Sequence, residues 1–180
     1  MGDIDRKIYE NDLSEVVKLL SSKGDPDDIL IEELGDNFRE YRRRWKSINT
    51  STETEHPIHL DFELNFGCNL KCEICILQTP PEETKFKKEY GKVLSYEKFC
   101  EIIDDGIEKG LCSITLSGNN EPLLFKEIPQ YIEYAKKKNV LDIIMLTNGT
   151  LLDTVTSEEL VNSGLTRICF SVGGGNMGMT

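Results

Sequence analysis

From His59 onward the sequence alternates between strand-like and helix-like patterns, and this alternation constrains the fold more than any other feature. The segment HLDFELNF alternates polar and apolar residues, while SYEKFCEIIDDGIEKG repeats apolar residues at helical spacing. Strand-like segments SITLS, LDIIMLT and TRICFSV follow, with a helical segment between each pair. Helical crossovers of this length require parallel pairing, so the sequence predicts an α/β fold with about four parallel strands. Right-handed connections are compatible with two folds, a doubly wound sheet or part of a barrel.

Glycine, proline and capping residues mark the ends of the predicted helices. Gly110 ends the first helix of the series, and Pro129 opens the second. Thr156 and Glu159 have the spacing of a capping box, which predicts that the third helix starts there and stops at Gly164.

Residues 1–57 form a distinct and strongly charged segment. Apolar residues recur at helical spacing over residues 13–20, and Asp25-Pro26 opens a second helix with proline at its first position. That helix carries a single apolar stripe, made of Leu30, Leu34, Phe38, Tyr41 and Trp45. We therefore predict an N-terminal helical extension and linker over residues 1–57 and a core over residues 58–180.

Composition excludes several classes of protein. A chain of 180 residues can form one sizeable core with an appendage. Its net charge of −11 argues against a nucleic-acid backbone as partner, because binding phosphates requires clustered Lys and Arg. The first residues lack a secretory pattern, and no apolar run approaches the roughly 20 residues that cross a bilayer. We expect a cytoplasmic protein with no membrane partner.

Each predicted strand is followed by an unusual polar or glycine-rich segment. Three cysteines follow the first strand, SGNNEPLL the second, TNGTLL the third and SVGGGN the fourth. Since the carboxyl ends of parallel strands share one edge of the sheet, these segments should meet there. The sequence therefore predicts the functional site at this edge.

The cysteines after the first strand are Cys68, Cys72 and Cys75. Three thiolates within eight residues can hold an iron-sulfur cluster by three of its irons, whereas a tetrahedral metal ion requires a fourth ligand. His59 could complete a zinc site, but a residue at the start of a strand is expected at the opposite end. The other cysteines are predicted to be small buried residues: Cys100, Cys112 and Cys169.

The Cys-x3-Cys-x2-Cys spacing, with the wording CNLKC, resembles the radical S-adenosylmethionine (radical SAM) superfamily. The resemblance implies a partial (β/α) barrel and a [4Fe-4S] cluster whose open iron binds the amino and carboxylate groups of S-adenosylmethionine. It makes Cys68, Cys72 and Cys75 the metal ligands. It also implies a set of cofactor-binding residues that contact S-adenosylmethionine: Ile74, Gly118, Asn119, Asn120, Glu121, Asn148 and Ser171.

The same resemblance implies a reaction. Members cleave S-adenosylmethionine reductively to a 5′-deoxyadenosyl radical, which abstracts hydrogen from a substrate. The sequence indicates no particular catalytic base. The phrase FREYRRRWKSI before the first strand resembles SPASM-type members, many of which modify peptides or proteins. The resemblance leaves the substrate unknown but favours a peptide or protein, and it implies an electron donor such as flavodoxin or ferredoxin. Because the usual barrel has six strands, we also expect a truncated chain.

Two other interpretations stay open. The cysteines could bind zinc in a structural or interaction module. Alternatively, the chain could be an inactive, truncated remnant of a radical SAM enzyme.

Overall fold

The computed structural model describes residues 25–48, 54–65, 67–72, 75 and 93–171. The chain divides into two compact units, Met1–Thr52 and Glu53–Thr180. The helix predicted over residues 13–20 lies outside the described residues. The predicted division into residues 1–57 and 58–180 stays a prediction.

The described part of the first unit contains two helices where the sequence predicted one. Helix α1, Pro26–Leu34, begins as predicted, with the Asp25 side chain capping it by accepting a hydrogen bond from the Asp27 N–H at 2.8 Å. Helix α2 is Asp36–Ser47. The single-helix prediction is wrong because Gly35 adopts a φ of 78° and a ψ of −160°, a conformation that interrupts the helix and that glycine takes at no steric cost.

The apolar stripe across these two helices is buried only near its centre. Phe38 and Tyr41 are almost fully buried and their rings pack edge to face, whereas Trp45 is exposed. Asp27 is also buried, and its Oδ2 lies 2.8 Å from Arg42 Nε. A buried carboxylate needs such a partner, so this ion pair fixes α1 against α2.

The second unit is built on a four-stranded parallel sheet, as predicted. The strands are β1 His59–Asp61, β2 Ser113–Thr115, β3 Asp142–Thr147 and β4 Arg167–Phe170. Their spatial order is the chain order, β1-β2-β3-β4. A doubly wound sheet would reverse direction at a switch point, so this order is that of a partial (β/α) barrel.

In the described residues, three helices connect the strands of this unit. They are α3 Tyr96–Glu108, α4 Ile128–Lys137 and α5 Thr154–Ser163, and a short 3₁₀ helix, Pro122–Leu124, precedes α4. Gly110 follows the end of α3 with a φ of 89°, and Pro129 lies in the first turn of α4, as the sequence predicted.

Helix α5 starts two residues earlier than predicted and uses a different cap. Asp153 is the capping residue, and its side chain accepts a hydrogen bond from the Thr156 N–H at 2.8 Å. That bond lowers the pKa of Asp153 below its usual value. The predicted capping box at Thr156 is wrong, because a carboxylate three residues upstream already satisfies the free N–H group. The helix stops at Gly164, as predicted, with a φ of 98°.

The hydrophobic core lies between one face of the sheet and the helices. Strand residues such as Ile114 and Ile143 pack there against Phe99 and Ile103 of α3 and Ile132 of α4. Phe62 and Leu64 extend this face beyond β1, as the alternating pattern predicted. Each of these side chains contributes about 1.5–3 kcal/mol by leaving water.

The other face of the sheet carries a row of polar side chains, which the sequence analysis did not anticipate. The register places His59, Ser113 and Asp142 side by side across three strands. His59 Nδ1 lies 2.7 Å from Ser113 Oγ, and Asp142 Oδ2 lies 3.0 Å from Arg167 Nη2. This face corresponds to the inside of a β/α barrel, and the row lies at the amino ends of the strands, away from the cysteine loop.

Replacing Ile103 with alanine should lower the free energy of unfolding by about 2–5 kcal/mol, because Ile103 is fully buried in the core. The matched control is Val161→Ala on α5, where the side chain is 72% exposed and the change should stay below about 0.5 kcal/mol. Urea denaturation followed by circular dichroism measures both values. Equal losses would contradict the core described above.

Candidate functional site

Three loops meet at the carboxyl edge of the sheet, as the strand order requires. The first follows β1 and carries the cysteines, the second is residues 118–121 after β2, and the third is Asn148-Gly149 after β3. Hydrogen bonds join each loop to its neighbour, so the first three segments singled out in the sequence form one connected structure.

Glu121 lies at the centre of this structure. Its side chain is 1% exposed, and its carboxyl oxygens accept hydrogen bonds from Thr147 Oγ1–H at 2.6 Å and the Asn148 N–H at 2.8 Å. A third bond comes from the Leu123 N–H at 3.1 Å. The Glu121 N–H in turn donates to the Gly67 carbonyl at 2.7 Å, directly before the first cysteine. One buried side chain and its backbone thus connect all three loops.

This environment bears on the predicted contact between Glu121 and S-adenosylmethionine. Both carboxyl oxygens already accept hydrogen bonds from the protein. Losing one of these hydrogen bonds would leave a buried polar group unsatisfied, which costs about 1–3 kcal/mol. The contact therefore stays a prediction, while the structural role of Glu121 follows directly from its bonds.

Glu63 is a carboxylate at the same edge that the sequence analysis missed. It is exposed, and its Oε1 accepts hydrogen bonds from the Asn119 N–H at 2.9 Å and from Asn119 Nδ2 at 3.2 Å. The alternation in HLDFELNF was a usable signal, because Glu63 lies between the core residues Phe62 and Leu64 and must face the opposite side.

Gly118 allows Glu63 to take this position. A Cβ atom on Gly118 would lie 2.1 Å from Glu63 Oε1 and 2.3 Å from its Cγ, so any larger residue would displace the glutamate. The Gly118 N–H donates to Asn120 Oδ1 at 2.8 Å, and Asn120 Nδ2 donates to Asn65 Oδ1. The loop is thus held both internally and against the segment that follows β1.

The cysteines lie at the start of this edge, as predicted. Cys68 and Cys75 are partly buried, Cys72 is exposed, and all three are free thiols. The Cys75 N–H donates to the Cys72 carbonyl at 3.0 Å, which joins the two residues directly. Among the described residues, no group of three His, Cys, Asp or Glu side chains surrounds a single metal-ion position. Their assignment as cluster ligands stays a prediction.

The surroundings of Cys68 suit a thiolate ligand. The Leu70 N–H points at Cys68 Sγ at 3.4 Å, and Asn148 Nδ2 lies 3.8 Å from the same sulfur. N–H donors of this kind stabilise negative charge on sulfur, as metal-bound cysteines require. The donor set therefore fits an iron-sulfur cluster.

The remaining predicted binding residues have different positions. Ser171 is exposed at the end of β4, and its N–H donates to the Thr147 carbonyl at 2.8 Å. Gly149, which follows the predicted residue Asn148 and was not itself predicted, takes a φ of 73° beside the ring of Phe170, where a Cβ would approach the ring to 3.0 Å. Ile74, predicted to pack on adenine, lies outside the described residues, as does the SVGGGN segment after Ser171.

The other candidate ligands are placed apart from the cysteine loop. His59 begins β1, at the opposite end from Cys68, as expected. Cys112 is buried as predicted, but Cys100 is only partly buried and Cys169 is exposed. The prediction for Cys169 is wrong because β4 is the edge strand of the described sheet, so its side chains have fewer neighbours.

Comparison with known families explains the cysteine spacing. Residues 62–177, more than half of the chain, match the radical SAM superfamily. The chain belongs to the radical SAM superfamily. Members of this superfamily use a [4Fe-4S] cluster and S-adenosylmethionine, which are the cofactors that the sequence predicted.

Curated relatives match the same part of this radical SAM chain. A probable GTP 3′,8-cyclase from Methanococcus maripaludis is 35% identical over 105 residues, which are 58% of this chain and 33% of the relative. The GTP 3′,8-cyclase of Thermodesulfovibrio yellowstonii is 37% identical over 106 residues, covering 58% and 31%. This radical SAM chain thus spans about a third of the length of the curated relatives that it matches.

Solved structures confirm the fold. BtrN in complex with AdoMet and 2-DOIA aligns with a TM-score of 0.58 at 16% identity, over 69% of this chain and 49% of BtrN. BtrN in an open conformation gives a TM-score of 0.55, over 68% and 54%. Among the helices of the described residues, none is long and apolar enough to span a membrane.

Replacing Glu121 with alanine should lower the free energy of unfolding by about 3 kcal/mol, because its removal leaves buried donors without acceptors. Glu63→Ala is the matched control, since this exposed carboxylate should contribute less than about 1 kcal/mol. Thermal and urea unfolding measure both. A Glu63→Ala loss as large as that of Glu121→Ala would contradict these separate roles.

Gly118→Ala should destabilise the protein only when Glu63 is present. The added Cβ displaces the Glu63 side chain and breaks its bonds to Asn119, so we expect a coupling energy of about 1 kcal/mol. A double-mutant cycle with Glu63→Ala, followed by urea denaturation, measures this coupling. Additive effects would show that Glu63 does not pack against Gly118.

Proposed function

We propose that this chain forms the cofactor-binding part of an enzyme that cleaves S-adenosylmethionine. The observation that carries the proposal is the position of the three-cysteine motif after β1, beside the loops after β2 and β3, in a radical SAM chain. When bound, a reduced [4Fe-4S] cluster would supply one electron, which cleaves S-adenosylmethionine into methionine and a 5′-deoxyadenosyl radical that takes a hydrogen atom from the substrate.

In this proposal, Cys68, Cys72 and Cys75 are the ligands of the cluster. Their thiols are free and lie at the edge of the sheet, partly or fully accessible. The Leu70 N–H and the Asn148 side chain face the sulfur of Cys68, which favours its thiolate form. Three thiolates leave the fourth iron for the amino and carboxylate groups of S-adenosylmethionine.

The loop after β2 is proposed to bind the methionine end of S-adenosylmethionine. Gly118 and Asn119 are exposed there, and the exposed carboxylate of Glu63 lies against them. A carboxylate is suited to an ammonium group, because such charge-assisted hydrogen bonds are among the stronger ones in proteins. In this arrangement Glu121 holds the loop, and Ser171 at the end of β4 would border the rest of the molecule.

The substrate is a separate part of the proposal. The relatives named above are GTP 3′,8-cyclases, so GTP is the first substrate to assay. A peptide or protein substrate, predicted from the resemblance to SPASM-type members, is the second. Flavodoxin or ferredoxin would supply the electron in either case.

Cys72→Ala should abolish both cluster formation and S-adenosylmethionine cleavage, because one of the three proposed ligands is lost. The protein is reconstituted with iron and sulfide without oxygen, and visible absorption and 5′-deoxyadenosine formed with dithionite are measured. Cys169→Ala, an exposed cysteine on β4, is the matched control and should retain both signals. Cleavage by the Cys72→Ala variant would contradict the assignment.

Reconstitution of the wild-type protein also tests the two alternative interpretations, a zinc-binding module and an inactive remnant. A zinc module would bind zinc and stay colourless after reconstitution. An inactive remnant would gain the colour of the cluster without forming 5′-deoxyadenosine.

A further inference from the structure

The side chain of Asn148 bridges the loop after β3 to the cysteine loop. Its Nδ2 lies 3.8 Å from Cys68 Sγ and 2.9 Å from Asn69 Oδ1. Its Oδ1 accepts hydrogen bonds from the Thr150 N–H at 2.9 Å and from Thr150 Oγ1–H at 2.6 Å. An asparagine amide has two N–H donors and two lone pairs, so the protein already uses its whole hydrogen-bonding capacity.

The position of Asn148 is fixed from the buried side of the site. Its backbone N–H donates to Glu121 Oε2 at 2.8 Å, and Thr147 Oγ1–H donates to Glu121 Oε1 at 2.6 Å. Gly149 then turns the chain with a φ of 73°. The amide is thus held toward Cys68 by a buried anchor on one side and by Thr150 on the other.

We propose that Asn148 is a positioning residue that raises the reduction potential of the cluster by donating a hydrogen bond to the thiolate of Cys68. This inference rests on the proposed function, in which Cys68 is a cluster ligand. Hydrogen bonds to cluster sulfurs stabilise the reduced state, which carries more negative charge, and so raise the potential. It also replaces the predicted role of Asn148, since an amide engaged in this way has no group left to bind S-adenosylmethionine.

Leu70 also donates a hydrogen bond to Cys68, but from its backbone. Its backbone N–H is a second donor to Cys68 Sγ, at 3.4 Å, and it is retained in any side-chain variant. Among the described residues, the side-chain donor to this sulfur is Asn148. Substitution at position 148 therefore changes the hydrogen bonding of Cys68 without removing the backbone donor.

The experiment compares two isosteric variants, Asn148→Leu and Asn148→Asp, after anaerobic reconstitution. Both lose the Nδ2–H donors to Cys68 and to Asn69, and only the second gains a charge. Redox titration without S-adenosylmethionine, read by electron paramagnetic resonance of the reduced cluster, measures the potential. We expect the ratio of reduced to oxidised cluster at a fixed potential to fall about tenfold in Asn148→Leu, which is a shift of about 59 mV for one electron. Asn148→Asp should shift at least as far.

Thr150→Val is the matched control. It removes the side-chain hydrogen bond at the opposite end of the same amide, together with the bond that Thr150 Oγ1 accepts from Asn69 Nδ2 at 2.7 Å, and it leaves the donor to Cys68 in place. Its potential should stay close to the wild-type value, while Asn148→Gln, which retains an amide donor, should recover part of the loss. A shift in Thr150→Val equal to that in Asn148→Leu would overturn the proposal, because loop distortion alone would then explain both.

The remaining outcomes separate this inference from the proposed function. If the wild-type protein binds no iron and sulfide, the proposed function fails, and this inference fails with it. If the wild-type cluster forms and Asn148→Leu keeps its potential, only this inference is overturned. It is also overturned if neither isosteric variant forms a cluster while Thr150→Val does, since Asn148 would then be required for assembly.

Discussion

The buried carboxyl group of Glu121 is the interaction on which the functional edge of this protein depends. Loops at the ends of parallel strands have no ladder partners, so their backbone groups must find acceptors elsewhere. Glu121 supplies these acceptors to Thr147 and Asn148, and its own N–H donates to Gly67 before the cysteines. Three segments from different parts of the chain are thereby held in one arrangement.

The two faces of the sheet carry different side chains. Apolar strand residues and the three helices enclose the core on one face. The other face carries His59, Ser113 and Asp142 in one row, and its carboxyl edge carries the cysteine loop. A radical SAM enzyme needs this separation, because a rigid layer must support loops that hold a reactive cofactor.

Carboxylates at this edge have different tasks because their environments differ. Glu121 is buried and accepts hydrogen bonds from the protein, whereas Glu63 is exposed against Gly118 and Asn119. The motif after β2 contains Glu121, but the exposed carboxylate at this edge is Glu63, which follows β1. Family motifs identify the loop, and burial decides which of its neighbours can meet a ligand.

The sequence by itself determined the alternation of strands and helices, the parallel sheet and the three cysteines, because periodicity and motif spacing are local properties. Some local predictions were nevertheless wrong, because neighbouring residues compete for the same role. Gly35 divides a predicted helix, and Asp153 replaces Thr156 as a cap. Only the tertiary structure decided which polar groups meet. Glu63 and Asn119 are 56 positions apart, and Asn148 and Cys68 are 80 apart. Their contacts depend on strand order and loop geometry, which no local pattern encodes.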